Sequence, residues 1–398
     1  MRERLRVVFC VDNLEIGGTE LNAVRTAERL DPSRFGMTVV SLQDSHGPLV
    51  ARYKEAGIPV HSFAIGRLFG RRSLRQGMRL ARFLRRNRSD VFHAHDIYSN
   101  IFGVPWARAA GVPAVIASRR WWLAEPRRGH RVANRLACRF AHVVLANCPS
   151  VAGLVRDGDG VEESRIAVVP NFLEEKAFER MAEAERRQTL ERLGVPGGAR
   201  IVGCVANLRP PKDHATLLRA LASPALGDRV HLVLVGEGPC RPDLERLARE
   251  LGVELRVHFA GRLSNDPNPH GLFEISVLAS VSEACPNSVL EAMAAGSPVV
   301  ATRVGGTGDV AVDGQTAILV PPGSPEAMAA AIGRLLEDPD AARHMGEAGR
   351  RRARKEFRAS EAMGRLEGLY RRLTSGRAAE SSRASWALRS RPLPTGRK

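Results

Sequence analysis

The chain has 398 residues, more than a single core usually serves, and its 44% hydrophobic and 26% charged residues exclude a disordered or fibrous protein. It carries 60 basic against 43 acidic side chains, a net charge of +17, and the basic side is almost all arginine, the lysines being Lys54, Lys176, Lys212, Lys355 and Lys398. Cys10, Cys138, Cys148, Cys204, Cys240 and Cys285 form no C-x-x-C pair, which argues against a zinc site or a disulfide framework and fits a reducing cytoplasm.

At the amino end the apolar run VVFCV stops at Asp12, too short for a signal peptide or a spanning helix, so a cytoplasmic protein is expected. Short β-branched runs then alternate with helical patterns, the mark of parallel sheets with crossover helices. RVVFCV leads through the loop DNLEIGGTE into a helix from about Leu21 to Leu30 and the strand MTVVSL. VFHAH (91–95), AVIAS (114–118), HVVLAN (142–147) and RIAVVPN, ending near Asn171, complete a first series. A second begins at RIVGCVANL (200–208), with HATLLRALA as helix, HLVLVGEG (231–238), DLERLARELG as helix, VHFAG (257–261), VLASVS, the helix SVLEAMAAG, PVVAT and ILVPP. From Pro325 the pattern is helical to Leu373, and residues 375–398 read as a basic, disordered tail. The expectation is an α/β chain of two Rossmann-like doubly wound domains facing across a cleft. These are residues 1–185 and 186–355, joined by the charged stretch Leu173 to Gly194, with a helix at 356–374 crossing back to the first domain. Such sheets bind ligands at the carboxyl ends of their strands, where the candidate residues are sought.

Gly17 and Gly18 follow the first strand and open a helix, where amide groups and the helix dipole favour an anion, although a tight β-to-α turn needs glycine for shape alone. The loop is not G-x-G-x-x-G, so a dinucleotide fold is poorly supported. His93 and His95 alternate on a strand and point to one side, with Asp96 next; they read as site residues or as satisfied structural ones, and no third metal ligand is in view. Arg209 and Lys212 lie on the loop leaving the first strand of the second series and could neutralise a diphosphate. In SEACPNSVLE, Ser288 and Glu291 have capping-box spacing, Glu283 lies on the preceding loop, and Glu291 faces away from Val289. The two acids therefore do not form a close dyad. They frame a helix start whose N–H groups, from Asn287 to Leu290, suit a phosphate.

Set in SEACPNSVLEAMAAGSPVVATRVGG and followed by GQTAILVPPGSPEAMAAAI, the E-x7-E from Glu283 to Glu291 resembles the carboxyl-terminal domain of retaining GT-B nucleotide-sugar glycosyltransferases, family four (group 1). The resemblance extends through the GGTE loop, the HAHD strand, VVPN and the Lys212 loop. It implies that Glu291 binds the donor's ribose hydroxyls and Glu283 orients the sugar, while amides from Ala284, Cys285, Asn287, Ser288, Val289 and Leu290 hold sugar and diphosphate. Lys212 and Arg209 would stabilise the leaving diphosphate, His95 would approach the transferred sugar, Gly17 and Gly18 would touch donor phosphate or acceptor, and Gly261 and Arg262 lie in the base-binding region. Retention in this class is explained without a protein nucleophile, so electrostatic stabilisation is the main contribution expected of the protein. No metal and no cofactor is expected, only a UDP-, GDP- or ADP-sugar as co-substrate and a glycan or lipid-linked acceptor, in bacterial cell-surface polysaccharide synthesis. The chain departs from the family pattern in having Ala284-Cys285 after the first acid, Asn207 where an arginine is usual, and SNDPNPHGLFEISVLAS in place of a regular helix.

Between Arg67 and Arg88 lie nine arginines (67, 71, 72, 75, 79, 82, 85, 86, 88) with Leu68, Phe69, Leu74, Met78, Leu80, Phe83 and Leu84 interleaved, and SRRWWLAEPRRGHRVANR adds Trp121 and Trp122. The pattern suits a peripheral contact with anionic lipid on the inner face of the cell membrane, or an ordinary helix with solvated arginines. A nucleic-acid-binding protein is the rival class that the charge suggests, but no helix-turn-helix, RNA-recognition or zinc pattern is present. A nucleotide-sugar epimerase of the same fold is the nearer rival, separable because it needs no acceptor.

Overall fold

The computed structural model describes residues 4–43, 46–122, 128–263 and 267–375. The tail expected to be disordered, all but Ser375, and parts of the WWLAEPRR and SNDPNP stretches lie outside the described residues. Strands β1 (Leu5–Val11), β2 (Phe35–Ser41), β3 (Val60–Ser62), β4 (Val91–Ala94), β5 (Ala114–Arg119), β6 (Val143–Ala146) and β7 (Ile166–Val168) form one parallel sheet. Its order is β3-β2-β1-β4-β5-β6-β7. Strands β8 (Arg200–Val205), β9 (Val230–Val235), β10 (Val257–Gly261), β11 (Ile275–Leu278), β12 (Val299–Thr302) and β13 (Ile318–Val320) form a second, ordered β10-β9-β8-β11-β12-β13. Both sheets are parallel throughout, so helices cover both faces and the central strands are buried without alternation: Val7 to Val11, Val91 to Ala94 and Val230 to Val235 are buried without a break, and apolar apart from His93 and His231. The strand order reverses between β1 and β4 in one sheet and between β8 and β11 in the other, and at such switch points the loops leave in opposite directions and open a crevice.

The described residues divide into two compact units, residues 172–361 forming one and residues 4–171 with 362–375 the other. The division falls after Asn171, earlier than the 185/186 border read from the sequence, and hydrogen bonds explain it. Asn171 Oδ1 accepts from Arg120 Nη1 at 3.3 Å in the first unit, whereas the Leu173 N–H donates to the Phe357 carbonyl at 2.8 Å in the second. The helix Glu183–Arg192 thus belongs wholly to the second unit. The last helix, Ala359–Thr374, belongs from Ala362 onward to the first unit, where Tyr370 is fully buried with its ring 6.2 Å from Phe35.

Candidate active site

At the β8/β11 switch point, β8 is followed by the short 3-10 turn Pro210–Lys212, stopped by Asp213 in the left-handed region at φ 44°. An aspartate tolerates that conformation because its carboxylate bonds locally, and here it caps the helix His214–Leu221 by accepting from the Thr216 N–H at 3.4 Å, while its other oxygen accepts from the Thr216 hydroxyl at 2.7 Å. The turn places Lys212 Nζ 2.5 Å from Glu283 Oε1, on the loop leaving β11, and the Ser280 hydroxyl donates to the same oxygen at 2.6 Å. Main-chain bonds tie the loops: the Val281 N–H donates to the Pro211 carbonyl at 2.9 Å, and the Gly306 N–H to the Glu283 carbonyl at 3.1 Å. The Glu283 side chain is only 9% exposed and that of Lys212 29%, so the acid is fixed while the cation keeps an open side.

Four residues beyond Glu283 begins the helix Asn287–Ala295. Its N-cap is Pro286, without a side-chain bond to the turn, so Ser288 is not the cap of a capping box; its hydroxyl lies 3.5 Å from His270 Nε2 instead. Proline's fixed φ suits entry to a helix, and the helical ladder starts only at the Leu290 N–H, which donates to the Pro286 carbonyl at 3.2 Å. Ala284, Cys285, Val289 and Leu290 are buried, so what they can offer a ligand is main chain; Asn287, Ser288 and Glu291 are half-buried. The Glu291 carbonyl accepts from Asn268 Nδ2 at 2.8 Å, and His270 Nδ1 bonds the Ser276 hydroxyl at 2.8 Å, so the Asn-Pro-His segment, irregular in sequence, buttresses this helix. Burial pushes His270 down to about 3, leaving it neutral.

The structure does not gather every candidate here. Arg209 is exposed and lines a groove between the helices His214–Leu221 and Arg241–Glu250. Gly261 ends β10 at the sheet edge with φ 65°, its carbonyl accepting the Gly236 N–H at 2.7 Å, and Arg262 makes an exposed ion pair with Glu237 at 3.3 Å.

In the first unit the loops leaving β1, β4 and β5 carry the rest. Gly17 caps the helix Gly18–Arg29, and a Cβ on it would lie 2.3 Å from a Glu20 carboxylate oxygen, so the glycine gives that acid its room. The His95 N–H donates to the Cys10 carbonyl at 3.0 Å, and its ring stacks on that of His93 at 4.2 Å and 25°. Neither ring nitrogen of His95 has a hydrogen-bond partner, and burial, then His93 and Arg120, hold it neutral. Among the described residues no cluster of three or more histidine, cysteine or acidic side chains could hold a metal.

Sequence reasoning passed over three groups here. Asp12, at the end of β1, accepts the N–H groups of Ser99 at 2.6 Å and Tyr98 at 3.1 Å, and burial with Asp96 nearby pushes its carboxyl well up. Arg120, just past β5, donates to Asn22 Oδ1 at 2.7 Å. Tyr370 and Ser118 flank His93, each at 2.7 Å. A polar residue directly after each apolar strand was the available signal for Asp12 and Arg120; nothing local marks Tyr370.

The model "Glycosyl transferases group 1" matches residues 185–352, and "Glycosyl transferase 4-like domain" matches residues 17–171. The N-acetyl-alpha-D-glucosaminyl L-malate synthase of Bacillus anthracis is 25% identical over 315 residues, 73% of this chain and 77% of that protein. The 2-deoxystreptamine glucosyltransferase of Streptomyces kanamyceticus is 32% identical over 265 residues, 66% of this chain and 64% of the relative. Other curated relatives are matched over 52% and 63% of their own length. The solved structure of Anabaena HepE in complex with UDP-glucose superposes with a TM-score of 0.82 at 22% identity, covering 92% of this chain and 99% of that one. The fold is therefore GT-B.

Proposed function

Because the chain belongs to the group 1 glycosyltransferases, we propose that it is a retaining hexosyltransferase that moves a sugar from a nucleoside-diphosphate sugar to a hydroxyl of a glycan or lipid-linked acceptor. The observation that carries this reading is the Lys212–Glu283 pair at the β8/β11 switch point, just ahead of the helix Asn287–Ala295. Lys212 and the helix start offer positive charge to a leaving diphosphate, Glu283 and Glu291 offer acceptors to sugar and ribose hydroxyls, and neutral His95 is assigned to the transferred sugar. The solved complex of HepE with UDP-glucose supports a nucleotide-sugar donor. No metal or cofactor enters this reading, and the acceptor proton passes to the departing phosphate oxygen.

A thermal-shift screen against UDP-, GDP- and ADP-sugars should show one donor raising the unfolding midpoint by mass action. Lys212→Ala and Glu291→Ala should then lose about a hundredfold or more in transfer while staying folded. Unchanged turnover in either variant overturns the reading, and conversion of the donor without an acceptor would favour the epimerase.

A second reading concerns the partner surface. The helix Arg71–Arg86 buries Leu80 and Leu84 in the core but leaves Phe69 (just before it), Leu74 and Met78 exposed among its arginines. The helix Arg128–Phe140 leaves Val132, Leu136 and Phe140 exposed, and its His130 ring lies 6.3 Å from Phe69. We infer a peripheral contact with anionic lipid on this face, at the inner side of the cell membrane, where a lipid-linked acceptor for cell-surface polysaccharide would lie. No helix among the described residues is long and apolar enough to cross a membrane. Flotation with phosphatidylglycerol-containing vesicles should recover the protein and phosphatidylcholine vesicles should not; equal recovery removes the idea.

A further inference from the structure

Behind His95 lies a buried polar chain that no step above uses. His93, Ser118 and Tyr370 are each 0% exposed, and His93 bonds Ser118 Oγ through Nε2 and Tyr370 Oη through Nδ1, both at 2.7 Å. Tyr370 stands 277 positions from His93, on the last helix. His95 has no hydrogen bond of its own to set its ring: both nitrogens are unpartnered, and its plane packs against the His93 ring at 4.2 Å and the Phe9 ring at 4.3 Å. What orients His93 therefore bears, together with Phe9, on the orientation of His95.

We propose that Tyr370 is a positioning residue for His95, fixing the ring and tautomer of His93, on which His95 is stacked. This rests on the reading of His95 as the histidine at the transferred sugar. Burial keeps the Tyr370 hydroxyl protonated and both imidazoles neutral. The tautomer we assign has the hydroxyl donating to His93 Nδ1 and the proton of His93 on Nε2, donated to Ser118 Oγ. With both nitrogens engaged His93 cannot flip, and the face it presents to His95 is constant. The last helix thereby contributes to the site without touching a ligand, a second-layer role of the kind that holds metal-binding histidines.

The test is Tyr370→Phe in the full chain, which removes one oxygen and keeps the ring packed on Phe35. Turnover is read as nucleoside diphosphate released from UDP-glucose, GDP-mannose and ADP-glucose, beside His95→Ala. The expectation is a kcat lower by about tenfold or more with donor KM within about twofold, since small misplacement of a reacting group costs rate rather than binding. A kcat equal to that of the unmutated protein, where His95→Ala is inactive, overturns the proposal; a fully active His95→Ala sinks the parent reading instead. Nitrogen-15 spectra of the imidazoles give a readout independent of turnover. Tyr370→Phe, and Ser118→Ala as a second variant, should move the ring signals of His95 as well as those of His93. His95 signals that stay in place in either folded variant refute the coupling.

Discussion

Glu283 illustrates how an acid acquires a role from its neighbours. Its carboxylate is almost closed off, held by Ser280 and paired with a lysine in a chain that has few lysines. Truncating one partner strands the other charge, whereas removing both leaves little unsatisfied, so the pair should show strong coupling. We expect Glu283→Gln and Lys212→Met each to cost roughly 1–3 kcal/mol, and the double variant to cost less than their sum. A double-mutant cycle in urea checks this, and strict additivity would show the pair to be energetically idle. At this scale the sequence displayed both residues and the reason to suspect them. It did not display their mutual contact, because 71 positions separate them and the contact follows from the placing of β8 beside β11. The capping-box reading of Ser288 failed for a local reason: Pro286 already fits the cap position, and Ser288 falls inside the helix beside His270.

Helices here are positioned by close backbone approach as much as by apolar faces. Gly346 on the helix Pro339–Glu356 leaves room for the turn after Asn287–Ala295, since a Cβ there would lie 2.1 Å from the Gly296 carbonyl oxygen. Backbone cannot swing aside as a side chain does, so Gly346→Ala should destabilise the protein by about 1–3 kcal/mol. Gly364 on the last helix has nothing within 4 Å of that position, so Gly364→Ala should stabilise by about 0.5–1 kcal/mol through helix propensity. Thermal unfolding of both variants decides it, and equal shifts would refute the packing argument. Strand identities were legible because buried parallel strands are near-continuous apolar runs, as in VHLVLV for β9, where His231 alone interrupts. The basic helix was legible only in part: its amphipathic pattern is genuine, yet Leu80 and Leu84 serve the core while Leu74 and Met78 face outward, a division that depends on which neighbours pack against it.

At the scale of the whole molecule, burial of imidazoles predicts acid lability. His270 is 1% exposed and held at about 3, and burial also lowers His93, His95 and His214. A histidine whose folded value lies below its unfolded one binds fewer protons when folded, so its contribution is intact above about pH 6.5 and is lost as the pH falls below it. For His270 this amounts to about 2 kcal/mol between pH 6.5 and 5. Asp12 and Asp96, pushed up by burial, act with the opposite sign in the first unit, so the clean comparison is with His270→Gln, whose stability should fall less steeply over that window in urea titrations. Parallel slopes for the two proteins would show that His270 takes up its proton without resistance. The sequence by itself determined the α/β class, the paired series of strands and the E-x7-E stretch, because apolar periodicity and short-range spacing are local properties of a chain. Only the tertiary structure decided that the first unit ends at Asn171, that Lys212 meets Glu283, and that Tyr370 returns from the chain's far end to His93. Those facts depend on strand order and on buried polar groups finding partners, and partners distant in sequence leave no mark on the residues beside them.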